Sequence, residues 1–97
     1  MIGYRFLPSA GEEMTEAALF YEAARSGLGS VFLDDIQHAI DTARTHPEVG
    51  ESVAHGFRRV LARRFPFSIV YAVEPEGIAV VAIAHQRRRP EYWKGRA

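Results

Sequence analysis

The feature that most constrains the fold is a pair of apolar segments separated by a four-residue turn. Residues 67–73 (FSIVYAV) are rich in β-branched and aromatic side chains, and residues 78–84 (IAVVAIA) are almost entirely apolar. The turn between them, EPEG, has proline at its second position and glycine at its fourth, as β-turns favour. The two segments therefore predict a β-hairpin, and the second segment predicts a central strand covered on both faces.

The beginning of the chain changes from a strand pattern to a helix pattern. Residues 2–7 (IGYRFL) place apolar side chains at every second position, which predicts a first strand that Pro8 ends. Ser9 and Glu12 have the spacing of a capping box. We therefore predict a helix over residues 10–25, with the acidic pair EE in its first turn.

A second helix and a further strand are predicted before the hairpin. Residues 30–45 carry apolar side chains at helical spacing, and Asp34, Asp35 and Asp41 are predicted to face solvent. Residues 57–65 (FRRVLARRF) combine arginines with apolar side chains and predict a strand exposed on one side.

The resulting order, β-α-α-β-β-β, predicts an α+β fold of two layers: an antiparallel sheet with an N-terminal helical hairpin packed on one face. The length of 97 residues fits one domain over residues 1–97. Six side chains from the helices and strands are predicted to form the core together: Ile36, Ile40, Ile69, Tyr71, Val81 and Ile83.

Composition excludes several classes of site. The chain has no Cys, which excludes a disulfide scaffold and a thiolate metal site. The histidines lack metal-ligand spacing and no phosphate-binding glycine loop is present, so neither a metal nor a cofactor is expected.

No signal peptide is visible, and the longest apolar run is too short to span a bilayer. We therefore expect a cytoplasmic protein without membrane contact.

The charges are balanced in total but divided between the halves of the chain. Twelve Lys and Arg oppose twelve Asp and Glu. Residues 1–51 hold three basic and nine acidic side chains, a net charge of −6, whereas residues 52–97 hold nine basic and three acidic ones, a net charge of +6. Such asymmetry indicates an interaction surface on the basic half.

Two arginine clusters stand out in the basic half. The first comprises Arg58, Arg59, Arg63 and Arg64. On the predicted strand, Arg59 and Arg63 share one face while Arg58 and Arg64 share the other. One pair then forms a cationic patch for an acidic segment of a partner protein, for nucleic acid or for a target protein. Alternatively, the charges protect an edge strand and pair with acidic helix residues.

The second cluster comprises Arg87, Arg88 and Arg89, followed by Tyr92 and Trp93. A run of charges usually ends as a solvated tail. The large apolar indole of Trp93, however, usually packs on a surface. It is predicted to pack either back on the sheet or against a partner protein.

The sequence resembles the RelE/ParE superfamily of toxins from bacterial type II toxin–antitoxin systems, in particular the ParE-like, plasmid-stabilisation branch. The likeness extends over about the whole chain and is carried by these stretches: EEMTEAALFYE, SGLGSVFLDDIQHAI, THPEVGE, RRVLARRFPFSIVYAVEPEGIAVVAIAHQRRRP and the final YW. The resemblance implies the same β-α-α-β-β-β fold. It also implies a toxin that inhibits growth and is neutralised by a cognate antitoxin. The candidate residues for binding the antitoxin or the target are then the two arginine clusters with Tyr92 and Trp93.

The branches of the superfamily imply different targets. ParE-like members are associated with inhibition of DNA gyrase, and RelE-like members are ribosome-dependent mRNA endonucleases. The nuclease alternative would use His85 as general acid or base, Arg63 or Arg87 on the scissile phosphate and Tyr92 for base stacking. Alternatively, His85 is a strand-terminal residue hydrogen-bonded to nearby backbone, and the lack of a placed partner for a catalytic histidine favours this interpretation. The helices also lack the cations that the nucleases tend to place there, so the chain is expected not to be an enzyme.

A third alternative is a partner-binding protein that has lost toxicity.

Leu19 and Phe20 widen the apolar face of the first helix. They predict either a broad core face or a second interface, for the antitoxin or for a second copy in a toxin dimer.

Overall fold

The computed structural model describes residues 2–96 and contains two α-helices, a short 3-10 helix (Ala54–Gly56) and five strands. The helices are α1 (Pro8–Ala24) and α2 (Leu28–Thr45). The strands are β1 (Gly3–Phe6), β2 (Glu51–Ser52), β3 (Arg58–Leu61), β4 (Phe67–Glu74) and β5 (Gly77–His85). The predicted α+β class, the element order and the hairpin of β4 and β5 are confirmed, and the two-residue β2 is an addition.

The five strands form one sheet in the order β1-β5-β4-β3-β2. All neighbours are antiparallel except β1, which pairs with β5 in parallel, so the sheet is mixed rather than wholly antiparallel. Helices α1 and α2 carry the chain from β1 at one edge of the sheet to β2 at the other edge, and β3 and β4 then lead back to β5, which lies beside β1. At the start of this pairing Gly3 lies opposite Gly77, where a Cβ on Gly77 would collide with the Gly3 carbonyl oxygen.

Helix α1 starts two residues earlier than the capping box predicts. Leu7 is the N-cap residue, with extended backbone and no side-chain hydrogen bond, and Pro8 occupies the first turn. Proline suits this position because it has no N–H to leave unpaired and its φ is already helical. The capping box of Ser9 and Glu12 is therefore wrong, and the acidic pair lies beyond the first turn.

The core between helices and sheet contains most of the predicted side chains. Ile36 and Ile40 of α2 pack with Ile69, Val80 and Ile83, all buried. Val81, by contrast, lies in a second apolar cluster on the opposite face of the sheet. A β-bulge causes this difference: Val70 pairs with Ala82, but Tyr71 pairs with Val80, so Val81 is the extra residue and the alternation shifts by one.

Tyr71 holds the connection between α2 and β2. Its fully buried hydroxyl donates to the carbonyl oxygen of Pro47 at 2.6 Å and accepts from the Gly50 N–H at 3.2 Å. Burial raises the pKa of this phenol, which keeps it protonated as the donor. A side chain at Gly50 would collide with the Tyr71 hydroxyl, which explains glycine there.

Candidate interaction surface

The first arginine cluster divides into structural and free side chains. Arg58 donates through Nη1 to the carbonyl oxygens of Gly50 at 2.9 Å and Glu48 at 3.3 Å. Arg59 forms an ion pair with Glu51 across β2 and β3, with Nε 3.1 Å from Oε1. Both arginines therefore stabilise the β2 edge of the sheet, in agreement with the edge-protection alternative.

Arg63 and Arg64 do not lie on a strand, contrary to the sequence prediction. Strand β3 ends at Leu61, and the chain then forms a tight loop to β4. The carboxylate of Asp35 accepts three backbone N–H groups of this loop: Oδ1 from Arg63 at 3.0 Å, and Oδ2 from Arg64 at 2.9 Å and Phe65 at 3.0 Å. The two arginines consequently lack the predicted alternation with Arg58 and Arg59, and their side chains are exposed.

Asp35 itself was predicted to face solvent, and this is wrong because the residue is only 6% exposed. A buried carboxylate requires hydrogen-bond donors, and the loop supplies three of them. Asp35 thus joins α2 to the β3–β4 connection.

The residues after β5 fold back across the sheet; we call residues 86–96 the C-terminal segment. Trp93 is 6% exposed and packs against Phe57 at a ring-centroid distance of 5.6 Å. It belongs to the apolar cluster on the face opposite the helices, with Val70 and Val81. Of the two alternatives for the indole, packing on the sheet is the one observed.

Tyr92 and Arg96 connect the C-terminal segment to α1 through Glu13. The Tyr92 hydroxyl donates to Glu13 Oε2 at 2.6 Å, and both terminal nitrogens of Arg96 donate to the carboxylate, at 2.9 and 3.0 Å. Glu13 Oε1 also accepts the Ile83 N–H at 3.1 Å, and Arg96 donates to the Val81 carbonyl oxygen at 3.1 Å. We call these contacts the Glu13 latch.

The Glu13 latch alters the ionisation of its members. Burial, the hydrogen bond to Glu13 and the charge of its carboxylate all raise the pKa of Tyr92, so the hydroxyl remains a donor. The hydrogen bond to Glu13 also raises the pKa of Arg96, whereas partial burial lowers it. Tyr92 is thus occupied in an internal contact instead of presenting a free ring for base stacking.

His85 is half-buried at the end of β5. Its Nδ1 accepts the backbone N–H of Arg87 at 3.0 Å, and its ring lies edge-on to Phe67 at 5.1 Å. This is the strand-terminal arrangement that the sequence left open as the structural alternative. Arg63, the proposed phosphate ligand, lies in the β3–β4 loop.

The remaining cations of the basic half, residues 52–96, form the exposed basic surface. Within residues 2–96, the side chains of Arg63, Arg64, Arg87, Arg89 and Lys94 are exposed and make no hydrogen bond or ion pair. Arg88 is also exposed and stacks over the Tyr92 ring, with Cζ 3.9 Å from its centroid. A cleft of about 310 Å³ lies between the C-terminal segment and the sheet, and its lining includes Arg88 and Arg89.

The outer face of α1 is the second candidate surface. Leu19 and Phe20 are 64% and 69% exposed, which supports the interface alternative over a core role. Glu12 and Glu16 lie exposed on the same helix. Glu22 instead accepts the N–H groups of Gly27 and Gly29, the latter at 3.0 Å, and so supports the start of α2.

Neither a metal centre nor a spanning helix is found in the part of the chain that the structure describes. In residues 2–96, no three His, Asp or Glu side chains lie together so as to hold a metal ion. No helix in that range has the length and apolar character needed to cross a bilayer.

The fold is that of a solved toxin–antitoxin structure. A chain from the chromosomal ParDE TA system from P. aeruginosa matches with a TM-score of 0.66 and 18% sequence identity. The match covers 88% of this chain and 96% of that chain. The likeness defines the structural class as a two-layer α+β domain. No curated protein matches the sequence significantly.

The model of the family described as ParE toxin of type II toxin-antitoxin system, parDE, matches residues 4–90. The chain therefore belongs to the ParE toxin family. The resemblance to the ParE-like branch is confirmed, and with it a place among the toxins of type II toxin–antitoxin systems.

Sequence reasoning missed three residues that organise the candidate surface: Glu13, Asp35 and Arg96. Glu13 was one of two adjacent acids near a helix start, and Asp35 was one of two adjacent acids on a helix. No sequence spacing distinguishes Glu13 from the exposed Glu12, or Asp35 from the exposed Asp34. Only the proximity of distant N–H and guanidinium groups identifies them.

Proposed function

We propose that this chain is a growth-inhibiting toxin that binds a bacterial target protein, with DNA gyrase as the candidate, through the exposed basic surface. The observation that carries the proposal is the set of unpaired cations on the C-terminal segment and the β3–β4 loop. Arginines free of internal partners can form bidentate contacts with carboxylates of a protein partner. Clustered charges also accelerate association with an oppositely charged surface.

Removing two of these arginines should weaken the inhibition. The double variant Arg87→Ala/Arg89→Ala is expected to require about tenfold more protein for half-inhibition of gyrase supercoiling, because two exposed contacts are lost. The matched control is Arg25→Ala, an exposed arginine at the end of α1. Intact supercoiling at saturating wild-type protein would remove gyrase from the proposal.

A growth assay with a His85 variant distinguishes the nuclease alternative. We expect His85→Ala to remain toxic, because its ring contacts Phe67 and its nitrogen serves a backbone N–H. Loss of toxicity with antitoxin binding intact would instead favour an mRNA endonuclease. Normal growth on expression of the wild-type chain alone would favour a non-toxic partner-binding protein.

We further propose that a cognate antitoxin neutralises the chain by binding the outer face of α1. Leu19 and Phe20 are adjacent, large and apolar, and each is more than 60% exposed. Such a pair is unusual on an otherwise acidic helix. An apolar antitoxin segment flanked by basic residues would complement this face. A toxin dimer through the same face is the competing arrangement.

The antitoxin contact is tested by placing a charge in the apolar face. Phe20→Asp is expected to weaken binding of the product of the adjacent reading frame more than about tenfold, because an aromatic contact is replaced by a buried charge. Val49→Asp, at a 58% exposed apolar residue in the loop after α2, is the control. Equal affinities of the two variants would contradict this placement, and a concentration-dependent dimer disrupted only by Phe20→Asp would favour self-association.

A further inference from the structure

The C-terminal segment has no regular secondary structure of its own. Its internal backbone hydrogen bonds are turn contacts, such as Tyr92 N–H to the Arg89 carbonyl at 3.3 Å and Lys94 N–H to Glu91 at 2.9 Å. Two residues have positive φ, Glu91 at 60° and Gly95 at 89°. A segment built from turns does not fix its own position, so its place on the molecule depends on side-chain contacts with the rest of the fold.

Two such contacts exist, and they differ in chemistry. The indole of Trp93 is buried on the open face of the sheet, which is a non-directional apolar contact. The Glu13 latch is directional, because the bidentate pair with Arg96 and the short bond from Tyr92 fix the orientation of both side chains. The side chains of Arg96 and Glu13 are only 21% and 15% exposed, so solvent screens this pair less than a surface ion pair.

The Glu13 latch also completes the edge of the sheet. Strand β1 pairs with β5 only from Gly77 to Val80. Beyond that point the outer edge of β5 has no neighbouring strand, and the latch bonds the Val81 carbonyl and the Ile83 N–H instead. One ion pair thus substitutes for a strand on an otherwise unpaired edge.

The contacts continue from Glu13 to the basic surface. Glu13 holds the Tyr92 hydroxyl, and the Tyr92 ring in turn lies 3.9 Å below the Arg88 guanidinium. A cation held over an aromatic ring has a preferred orientation. Tyr92, Trp93 and Arg96 lie beyond residues 4–90, which the family model matches.

We propose that Glu13 is a positioning residue: through Tyr92 and Arg96 it holds the C-terminal segment against β5 and thereby presents Arg87, Arg88 and Arg89 as one surface to an acidic target protein. This rests on the proposed target binding through that surface. Glu13 does not touch the target. It limits the conformational freedom of the arginines in the unbound protein, so that less of this freedom is lost on binding and the entropic cost of association is lower.

The first measurement tests the latch without reference to any target. In Glu13→Ala, the Ile83 amide is expected to exchange its hydrogen at least about tenfold faster than in the wild type, because its acceptor is removed and the edge opens. Trp93 is the single tryptophan, so its fluorescence reports directly on the segment and should become more accessible to acrylamide. Tyr92→Phe, which keeps the ring but removes the hydroxyl, should produce the same change to a smaller extent.

The second measurement tests positioning in the full-length chain. Glu13→Ala should require about tenfold more protein for half-inhibition of gyrase supercoiling, while antitoxin affinity stays within about twofold of the wild type. A merely destabilised protein would lose both activities together. The matched control is Asp34→Ala, an exposed acid on α2 that makes no hydrogen bond within the described chain and lies outside both candidate surfaces.

The outcomes separate the two proposals. An unchanged Ile83 exchange rate in Glu13→Ala would overturn the latch. Faster exchange with undiminished inhibition would overturn the positioning role and leave the proposed function intact. A wild-type chain that inhibits neither growth nor supercoiling would overturn the proposed function and the positioning role together. Support requires faster exchange, weaker inhibition and retained antitoxin binding in Glu13→Ala, with Asp34→Ala like the wild type.

Discussion

Replacing Phe32 by Ala is expected to lower the free energy of unfolding by about 4 kcal/mol, the largest single effect of any substitution considered for this protein. Phe32 is fully buried on α2 and lies at the centre of an aromatic group. Its ring centroid is 5.3 Å from Tyr21, 5.3 Å from Phe65 and 5.0 Å from Phe67. The substitution leaves a cavity between both helices and the sheet, so transfer and cavity costs add.

Urea unfolding followed by Trp93 fluorescence measures this effect. Leu33→Ala is the matched control, since the neighbouring side chain is 39% exposed and its loss should cost less than about 1 kcal/mol. Phe32→Leu, which keeps most of the volume, allows the measurement if the alanine variant does not fold. A cost below about 1.5 kcal/mol for Phe32→Ala would show that the aromatic group can close over the missing ring.

Asp35→Asn is expected to destabilise the fold by about 3 kcal/mol, although it changes the shape of the side chain very little. The carboxylate accepts N–H groups on both oxygens, and two of them, from Arg64 and Phe65, point at Oδ2. An amide can place an oxygen at only one of these positions. Its NH2 group would therefore face N–H donors, which leaves polar groups unpaired in a buried place.

The adjacent exposed Asp34 provides the control for this prediction. Asp34→Asn should change the free energy of unfolding by less than about 0.5 kcal/mol. Amide exchange in the loop at residues 63–65 should also be faster in Asp35→Asn, because the loop loses one of its two acceptor oxygens. Equal stabilities of the two asparagine variants would contradict the assigned role of Asp35.

Much of the fold was predictable because it depends on local periodicity. The β4–β5 hairpin follows from two apolar runs and a short turn, and the helices follow from spacing of three and four residues. The prediction for Val81 was wrong because a bulge shifts the alternation by one residue, and no residue type marks it. The predicted strand over residues 57–65 ends early because a carboxylate on a distant helix captures the following N–H groups.

The candidate surface was predictable in location but not in composition. The charge asymmetry directs attention to the basic half, yet Arg58 and Arg59 are bound internally and Trp93 is buried. Whether a cation is free depends on which carbonyl and carboxylate oxygens lie within about 3.5 Å of its nitrogens, since a longer separation is not a hydrogen bond.

From the sequence alone follow the α+β class, the element order, the helical hairpin on the sheet and the concentration of positive charge in the second half, because these depend on patterns within short windows. Only the tertiary structure decides that β1 runs parallel to β5 and that Asp35 closes the β3–β4 loop. It also decides that Glu13 connects α1 with Tyr92 and Arg96, which lie about eighty positions further along the chain. Those outcomes depend on distances between residues far apart in the chain, where buried polar groups must find partners that no local pattern specifies.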